Sequence, residues 1–370
     1  MTQATSPHHI YMERALNLAR RAEGFTSPNP MVGAVVVAAN RIVGEGHHRR
    51  AGGPHAEVEA LQAAGEAARG ATMYVSLEPC NHYGRTPPCT KAIIEAGISQ
   101  VYYAVADPYP PARGGHQALA AAGVAVQQGP CAAEARHLNR FFFHYADSGR
   151  PYVIAKFAAS LDGKSATRTG HSQWITGPDA RQRGHQLRQA VDAILVGAGT
   201  ALADDPQLTT RLPQASVSHP LRVLLDSRGR VPLSARLFDP DLPGQTAVAT
   251  TTAMPAGHRH QLEAQGVWVW QLQAAENGLI CLPHLLERLG RQQVLSLLVE
   301  GGSTVLGAFF DEGLVHEVQA FLAPLLIGGQ SATGPLGGCG AASLHDACRL
   351  HDVRLERVGE DLLYQGRVAR

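Results

Sequence analysis

The chain has 370 residues, about twice the length of a typical domain, so two domains of ordinary size are expected. Hydrophobic residues make up 45% of it and charged residues 17%, which is typical of a globular protein and argues against long disordered segments. The formal net charge is +1 and lysines are scarce, so the sequence lacks the basic surface that binding to a long nucleic acid requires. A small-molecule substrate is favoured.

The lack of a recognisable secretory or membrane-spanning pattern and the small number of cysteines both predict a reducing compartment. No apolar run approaches the roughly 18 residues of a membrane span, and residues 1–9 lack the basic-then-apolar pattern of a secretory signal. We therefore expect a cytoplasmic location without membrane contact. Six cysteines are too sparse for a disulfide scaffold, so a close cysteine pair is better interpreted as metal-binding or catalytic. Cys80 and Cys89 form such a pair.

Local patterns in the first half alternate between helices and strands. Apolar residues at helical spacing predict a first helix over residues 10–23, and two β-branched runs at 32–38 and 41–46 predict a hairpin. The remaining predicted elements are helices at 55–68, 88–96, 116–122 and 131–145, and strands at 71–76, 100–105 and 124–127. This alternation predicts an α/β sandwich, a sheet covered by helices.

Turn-forming residues cluster at 147–151, where the periodic signal lapses, so we place a domain boundary there, between domains at 1–147 and 150–370. The second half again alternates, with strands at 152–157, 192–196, 221–226, 246–250, 267–270, 295–300 and 317–323, and helices at 178–190, 282–289 and 303–312. It is predicted to be a second α/β unit. Residues 277–283 and the glycine-rich residues 328–340 are predicted surface loops.

A candidate zinc site lies in the first half. His55-Ala56-Glu57 starts a helix directly after Gly-Gly-Pro, and Cys80 and Cys89 follow. One imidazole and two thiolates fill three corners of a tetrahedron and leave the fourth for water, which indicates catalysis. Glu57 is placed to take the proton of the zinc-activated water and deliver it to a departing amine. These are the ingredients of a zinc deaminase.

The same residues also admit plainer interpretations. The four residues could be a capping histidine, a surface glutamate and two buried thiols; Cys339 and Cys348 repeat the cysteine spacing without a His-x-Glu or Pro-Cys, and we interpret them as structural. A nucleotide or tRNA-base deaminase fused to an unrelated domain would need the short Pro-Cys-x-x-Cys, whereas eight residues separate the thiols here. A zinc-stabilised binding module would be expected to have a fourth protein ligand or to lack Glu57.

Three motifs of the first half resemble those of the bifunctional riboflavin-biosynthesis deaminase/reductase family: Pro28-Asn29-Pro30-Met31-Val32-Gly33, His55-Ala56-Glu57, and the run from Ser76 through Pro79-Cys80 to Pro88-Cys89. The resemblance implies a cytidine-deaminase-like α/β/α sandwich, with one zinc per chain on His55, Cys80 and Cys89, and Glu57 as the proton shuttle. It makes Asn29 and His82 substrate contacts, although a turn residue and a loop residue are the plainer interpretations. Tyr109 departs from the family, which has asparagine there.

The second half resembles the reductase of the same family, which is similar to dihydrofolate reductase in fold. The motifs are residues 156–163, Ser172-Gln173-Trp174-Ile175-Thr176, Val196-Gly197-Ala198-Gly199-Thr200 with Asp204-Asp205-Pro206, and Val299-Glu300-Gly301-Gly302-Ser303-Thr304. The resemblance implies NADPH contacts at Ala158, Trp174, Thr200, Asp204, Ser227, Gly302, Ser303, Thr304, Val305, Leu306, Gly307 and Ala308. It implies substrate contacts at Ser172, Arg188, Leu208, Arg211 and Glu300.

Residue chemistry supports parts of that assignment. Backbone N–H groups at Gly301-Gly302 can hold a phosphate of NADPH, since no side chain blocks its approach. Arg188 and Arg211 offer planar forks suited to a phosphate, and Glu300 and Asp204 can bind ribose hydroxyls or handle a proton. Lys156 and Asp162 also stand in a family motif, but the first can simply pair with a carboxylate and the second can cap a turn. No Gly-x-Gly-x-x-Gly follows the first strand, so the classical dinucleotide-binding fold is not indicated.

The expected function combines two reactions. Zinc hydroxide attacks the amino-bearing ring carbon of a phosphoribosylated diaminopyrimidine, and ammonia leaves after Glu57 returns the proton. NADPH then delivers hydride to C1 of the opened ribose, which gives a ribitylamino side chain. The expected partner is a small phosphorylated pyrimidine, without nucleic acid, and the sequence leaves open whether the chain forms a homo-oligomer.

Overall fold

The computed structural model describes residues 6–83, 87–214 and 216–369, which form two compact units, Met1–Gly149 and Arg150–Arg370. Within the segment between the two predicted zinc thiols, residues 84–86 lie outside this description. Over the part of the chain that is described, no helix combines the length and the apolar character needed to cross a membrane.

The first unit is a five-stranded sheet flanked by helices. Its strands are β1 (Gly33–Ala38), β2 (Arg41–His47), β3 (Thr72–Val75), β4 (Gln100–Tyr103) and β5 (Ala125–Gln128). Its helices are α1 (Pro7–Arg20), α2 (Ala56–Ala64), α3 (Cys89–Glu95), α4 (Gly115–Ala121), α5 (Ala132–Leu138) and α6 (Arg140–Ser148). The strand order is β2-β1-β3-β4-β5; β1 is antiparallel to β2 and β3, whereas β3, β4 and β5 are parallel.

The single helix predicted over 131–145 is wrong, because Asn139 divides it into α5 and α6. The Asn139 side chain is 2% exposed and clamps the backbone of Met31, accepting from its N–H at 2.8 Å and donating to its carbonyl at 2.9 Å. The backbone angles of Asn139, φ −100° and ψ 25°, depart from the helical values and separate the two helices, although its N–H still donates to the Ala135 carbonyl at 3.1 Å. The two side-chain hydrogen bonds fix Met31, next to the loop that carries Asn29 and Pro30.

Close packing of α2 on the hairpin strand β2 depends on two glycines. A Cβ added at Gly46 would overlap the carbonyl of Ala56, and one at Gly44 would overlap the carbonyl of Ala60. Only glycine lets the backbones approach so closely. The contact places the first turn of α2, with His55 and Glu57, against the sheet.

The second unit contains a nine-stranded sheet. Its strands are β6 (Tyr152–Ser160), β7 (Ala193–Gly197), β8 (Leu221–Leu225), β9 (Thr246–Thr250), β10 (Trp268–Gln271), β11 (Ser296–Val299), β12 (Glu317–Ala323), β13 (Leu350–Val358) and β14 (Asp361–Val368). The order is β10-β9-β8-β7-β11-β6-β12-β14-β13. Every pairing from β10 to β12 is parallel, so the carboxyl ends of these strands share one edge, and the β13–β14 hairpin is antiparallel.

The helices of this unit are α7 (Pro178–Ala190), α8 (Ala198–Asp204), α9 (Ala256–Ala264), α10 (Leu282–Arg291) and α11 (Ser303–Asp311). Sequence patterns missed α8, α9 and the β13–β14 hairpin. The hairpin did carry a local signal in its turn, since Gly359 lies between the two strands and has φ +63°. Residues 328–340 contain no helix or strand, as predicted.

Candidate active sites

Three potential zinc ligands meet in the first unit. His55 caps α2, Cys80 follows the loop after β3, and Cys89 is the first residue of α3. The His55 Nδ1 atom lies 3.1 Å from Cys89 Sγ and 3.5 Å from Cys80 Sγ, and the three ligand atoms all lie within 4.8 Å of one another. Zinc–sulfur bonds of about 2.3 Å and zinc–nitrogen bonds of about 2.0 Å place tetrahedral ligands at comparable separations. The cluster therefore fits zinc.

Helix α3 and the neighbouring groups stabilise a thiolate at Cys80. The Cys89 backbone N–H donates to Cys80 Sγ at 3.4 Å. The hydrogen bond from the Cys89 thiol, together with His55, lowers the pKa of Cys80 to about 4 against the opposing effect of burial. That first thiolate and the burial of Cys89 raise the pKa of the second thiol above its usual value. A dication bound here would hold both as thiolates.

Glu57 lies in the first turn of α2 and is 3% exposed. Burial raises the pKa of its carboxyl to about 7, although His55 opposes this shift. A group that accepts and then donates a proton works best with a pKa near the working pH. Glu57 therefore has both the position and the proton affinity of a proton shuttle.

A histidine that the sequence analysis missed supports Asn29. The Asn29 Nδ2 group donates to His48 Nε2 at 3.1 Å, and His48 Nδ1 donates to the Pro54 carbonyl at 2.9 Å. His48 is 3% exposed, and its ring lies edge-on to that of His55, 5.4 Å between centroids. Burial lowers the pKa of His48, so it stays neutral and fixes the amide of Asn29. In the sequence, the adjacent histidines His47 and His48, at the end of β2 and directly after it, were the signal that could have identified this residue.

The loop with the Tyr109 departure is organised by carboxylates. Glu78 accepts from the backbone N–H of His116 at 3.0 Å and of Asp107 at 3.3 Å, and Asp107 accepts from the Tyr109 N–H at 2.8 Å. The Tyr109 side chain itself is 46% exposed.

Among the described residues, the buried Nδ1 atom of His82 has no hydrogen-bond partner. A buried polar group without a partner is the property expected of a ligand contact.

Residues predicted for the second site gather where parallel strands end. Ala158 lies near the end of β6, Thr200 in α8 directly after β7, Ser227 after β8, and Glu300 and Gly302 after β11. In open α/β sheets, ligands bind outside the carboxyl ends of the strands. Gly302 caps α11, and a Cβ built on it would lie 3.0 Å from Thr200 Oγ1, so α8 and α11 begin side by side.

Residues 302–308, all predicted to contact NADPH, differ in how accessible they are to a ligand. Thr304 is exposed, whereas Leu306 is 2% exposed and packs in the core. The Cα of Gly307 lies against the Gly337 carbonyl, where any side chain would overlap it. Leu306 and Gly307 thus have packing roles in the structure, and the accessible groups lie at the start of α11.

Arg188 and Glu300 form a buried, two-pronged ion pair. Arg188 Nε lies 3.0 Å from Glu300 Oε1 and Nη2 lies 2.8 Å from Oε2, with the side chains 15% and 9% exposed. Despite burial, Arg188 and Lys156 lower the pKa of Glu300 to about 2. The expectation that Arg188 offers a free fork to a phosphate therefore needs correction, because Glu300 occupies that edge.

The other predicted residues lie in varied surroundings. Trp174 is 68% exposed, with the Arg181 guanidinium 4.8 Å from its ring, and Leu208 is 2% exposed within the core. Ser172 is half-buried and Asp204 is exposed. Lys156 makes a cation–π contact, with its ammonium 5.5 Å from the centre of the Phe321 ring.

Asp162 organises a turn rather than an open cleft. It accepts from Ser160 Oγ at 2.6 Å and from the backbone N–H groups of Ile327 at 3.0 Å and Gly328 at 2.7 Å. The hydrogen bond from Ser160 is the main reason that the pKa of Asp162 falls to about 2. The structure supports the turn-capping interpretation of this residue.

Comparisons with known proteins agree on one family for both units. The profile described as "RibD C-terminal domain" matches residues 151–364, and that described as "Cytidine and deoxycytidylate deaminase zinc-binding region" matches residues 5–105. The chain is similar to "Riboflavin biosynthesis protein RibD" of Bacillus amyloliquefaciens, 44% identical with 95% of this chain and 94% of the relative covered, and to that of Escherichia coli, 42% identical with 95% and 97% covered.

Among solved structures, the chain is similar to Acinetobacter baumannii RibD, form 1, at 38% identity and a TM-score of 0.88, covering 98% of this chain and 99% of that one. A Thermotoga maritima structure described as a diaminohydroxyphosphoribosylaminopyrimidine deaminase/5-amino-6-(5-phosphoribosylamino)uracil reductase is 35% identical, with a TM-score of 0.85 and coverage of 98% and 99%. These similarities confirm the predicted fold class, a cytidine-deaminase-like unit followed by a dihydrofolate-reductase-like unit.

Proposed function

Because the chain belongs to the RibD family of bifunctional riboflavin-biosynthesis enzymes, we propose that its first site deaminates a phosphoribosylated diaminopyrimidine and its second site reduces the product. Family membership confirms the predicted enzyme classes, a zinc-dependent deaminase and an NADPH-dependent reductase, and the predicted cofactors. The observation that carries the proposal is the buried Glu57 carboxyl, in the helix turn that follows His55, together with a cluster of three protein ligands among the residues that the structure describes.

At the first site, His55, Cys80 and Cys89 would hold zinc and leave a corner open for water. Zinc supplies the Lewis acidity that makes water nucleophilic near neutral pH. Glu57 takes the proton of the attacking water and passes it to the departing amine, so that ammonia leaves. With its pKa raised by burial, Glu57 can hold this proton between the two transfers.

Substrate recognition at this site is proposed for two side chains, Asn29 and His82. Asn29 is fixed by His48, which leaves its amide oxygen free of that contact for a ring N–H or amino group. His82 offers its unpartnered Nδ1 atom. The Thermotoga maritima relative is described as acting on a diaminohydroxyphosphoribosylaminopyrimidine, and we propose the same substrate for this chain.

At the second site, NADPH supplies a hydride to C1 of the opened ribosyl group. We propose that the backbone N–H groups where α11 begins, at the half-buried Gly302 and Ser303, hold a phosphate of the cofactor. The low pKa of Glu300 keeps it ionised, so its role is to accept hydrogen bonds from ribose hydroxyls rather than to donate a proton. Thr200, beside Gly302, is proposed to contact the same part of the cofactor.

The finer assignments complete the proposal. Residues 1–147 form the deaminase domain and residues 150–370 the reductase domain. A reducing compartment keeps Cys80 and Cys89 available as thiolates, which supports a cytoplasmic location.

In the functional test, the purified enzyme receives the phosphorylated diaminopyrimidine, and ammonia release and NADPH oxidation are measured separately. The proposal predicts both, whereas the absence of ammonia release from zinc-loaded enzyme would contradict it.

A further inference from the structure

The two arginines predicted to contact the substrate differ, because one is paired with a carboxylate and the other is not. Glu300 occupies the fork of Arg188. Arg211 donates from Nη1 to Thr209 Oγ1 at 3.2 Å, and no carboxylate pairs with it within the described ranges. Burial together with Arg188 and Arg236 lowers the pKa of Arg211, as expected for a cation surrounded by like charges. An anionic ligand would relieve that repulsion.

The segment that carries Arg211 is tied to helix α7 by two contacts. Arg188 Nη1 donates to the Thr209 carbonyl at 3.1 Å, and the backbone N–H of Arg211 donates to His185 Nδ1 at 3.3 Å. His185 and Arg188 are three residues apart on α7 and therefore share a helix face. Between these anchors, the buried Thr210 hydroxyl, in a residue 3% exposed, has no partner among the described residues. Such a group is commonly completed by a ligand or water.

The contact from Arg211 defines the state of His185. An imidazole nitrogen accepts a hydrogen bond only when it carries no proton, so His185 is neutral with its proton on Nε2. Burial, Arg188 and Arg211 lower the pKa of His185 to about 4, while Glu300 opposes the shift. The ring therefore remains an acceptor throughout the physiological pH range and acts as a fixed clamp.

We propose that His185 is a positioning residue of the reductase site, which holds the Arg211 backbone so that the Arg211 guanidinium meets the phosphate of the substrate. In this arrangement Arg211 is the phosphate ligand and Arg188 orients Glu300. The inference rests on the proposed function, since it assigns the phosphate end of that substrate.

The test compares three variants with the parent enzyme. His185→Ala removes the acceptor, His185→Asn places an amide oxygen where Nδ1 lies, and Arg211→Ala removes the proposed ligand. With the deaminated substrate, His185→Ala should raise KM about tenfold with kcat changed less than about twofold, because roughly 1.4 kcal/mol corresponds to tenfold in binding. His185→Asn should restore KM to within about threefold of the parent, and Arg211→Ala should raise it at least as much as His185→Ala. His345→Ala, with a side chain 98% exposed, is the surface control.

The discriminating readout is the preference for the phosphorylated substrate over its dephosphorylated form. A positioning role predicts that His185→Ala loses most of this preference, whereas a purely structural role lowers activity on both forms equally, and that result would overturn the proposal. Calorimetric titration with ribose 5-phosphate tests the role of His185 separately from the proposed reductase activity. If the parent enzyme binds it and His185→Ala does not, the clamp stands even where reduction of the proposed substrate fails. Equal binding by parent and His185→Ala would contradict the clamp.

Discussion

The two units hold their chemistry in different ways. In the first, each proposed group is a side chain: one imidazole, one carboxyl and one thiol at helix starts, and a second thiol, that of Cys80, in the loop after β3. In the second, the groups proposed to bind are backbone N–H donors at the start of α11 and a buried ion pair between α7 and Glu300, the residue after β11, gathered where parallel strands end. The difference teaches that a metal site depends on residue identity, while a nucleotide site depends more on backbone placement and on buried charge balance.

The largest expected effect is at the proton shuttle. Glu57→Gln should retain zinc but lose deamination by about a hundredfold to ten-thousandfold, because an amide cannot transfer the proton. Metal analysis and ammonia release measure the two properties. Glu59→Gln, in the same turn but paired with Arg49 at 3.0 Å, is the matched control and should deaminate normally. If Glu57→Gln still deaminates at the parent rate, the first site does not depend on the identity of this side chain, and the contrast drawn between the two units is contradicted.

The next largest effect is expected on the free energy of unfolding, when one partner of the buried ion pair in the second unit is removed. Arg188→Ala leaves the Glu300 carboxylate buried without its partner, which should lower the free energy of unfolding by roughly 3–5 kcal/mol. Denaturant unfolding of the parent and the variant measures this cost. Arg183→Ala, on the same helix with only an exposed contact to Gln186, should change little. A loss no larger than that of the control would mean that Glu300 is not stabilised by this pair.

The backbone character of the cofactor site is tested at Gly302. Gly302→Val should weaken NADPH binding about tenfold, because the branched side chain would meet the phosphate held by the start of α11. Gly302 has ordinary backbone angles, and an added Cβ approaches only the Thr200 hydroxyl, so folding should survive. Gly307→Ala is the contrast, since its Cβ would overlap the Gly337 carbonyl and should lower the melting temperature. Unchanged NADPH affinity in folded Gly302→Val would move the phosphate elsewhere.

The smallest effect is expected at an exposed pair in the first unit. Arg14 and Glu45 also form a two-pronged contact, with Nε–Oε1 at 2.6 Å and Nη2–Oε2 at 2.7 Å, but their side chains are 40% and 28% exposed. Arg14→Ala should therefore cost only about 0–1 kcal/mol of unfolding free energy. Comparison with Arg188→Ala isolates burial as the cause of the difference. Equal costs for the two variants would contradict that explanation.

Sequence patterns predicted most strands because apolar runs report on burial along one segment. They predicted the zinc cluster because His-x-Glu and Pro-Cys combine residue types that rarely serve another purpose together. They failed where the deciding partner is remote: Asn139 breaks a helix to reach Met31, 108 positions away, and Arg188 pairs with Glu300, 112 positions away. The β13–β14 hairpin was missed because β13 is an edge strand exposed on both faces, so its charged residues obscured the alternation.

The central claim is that two separate sites act in order, deamination before reduction. The most direct measurement gives Glu57→Gln enzyme NADPH with either the phosphorylated diaminopyrimidine or its deaminated product, and records NADPH oxidation. We expect little oxidation with the first compound and oxidation at the parent rate with the second, because the reductase site is intact and receives its substrate only after deamination. Rapid oxidation with the diaminopyrimidine, or loss of oxidation with both compounds, would contradict it.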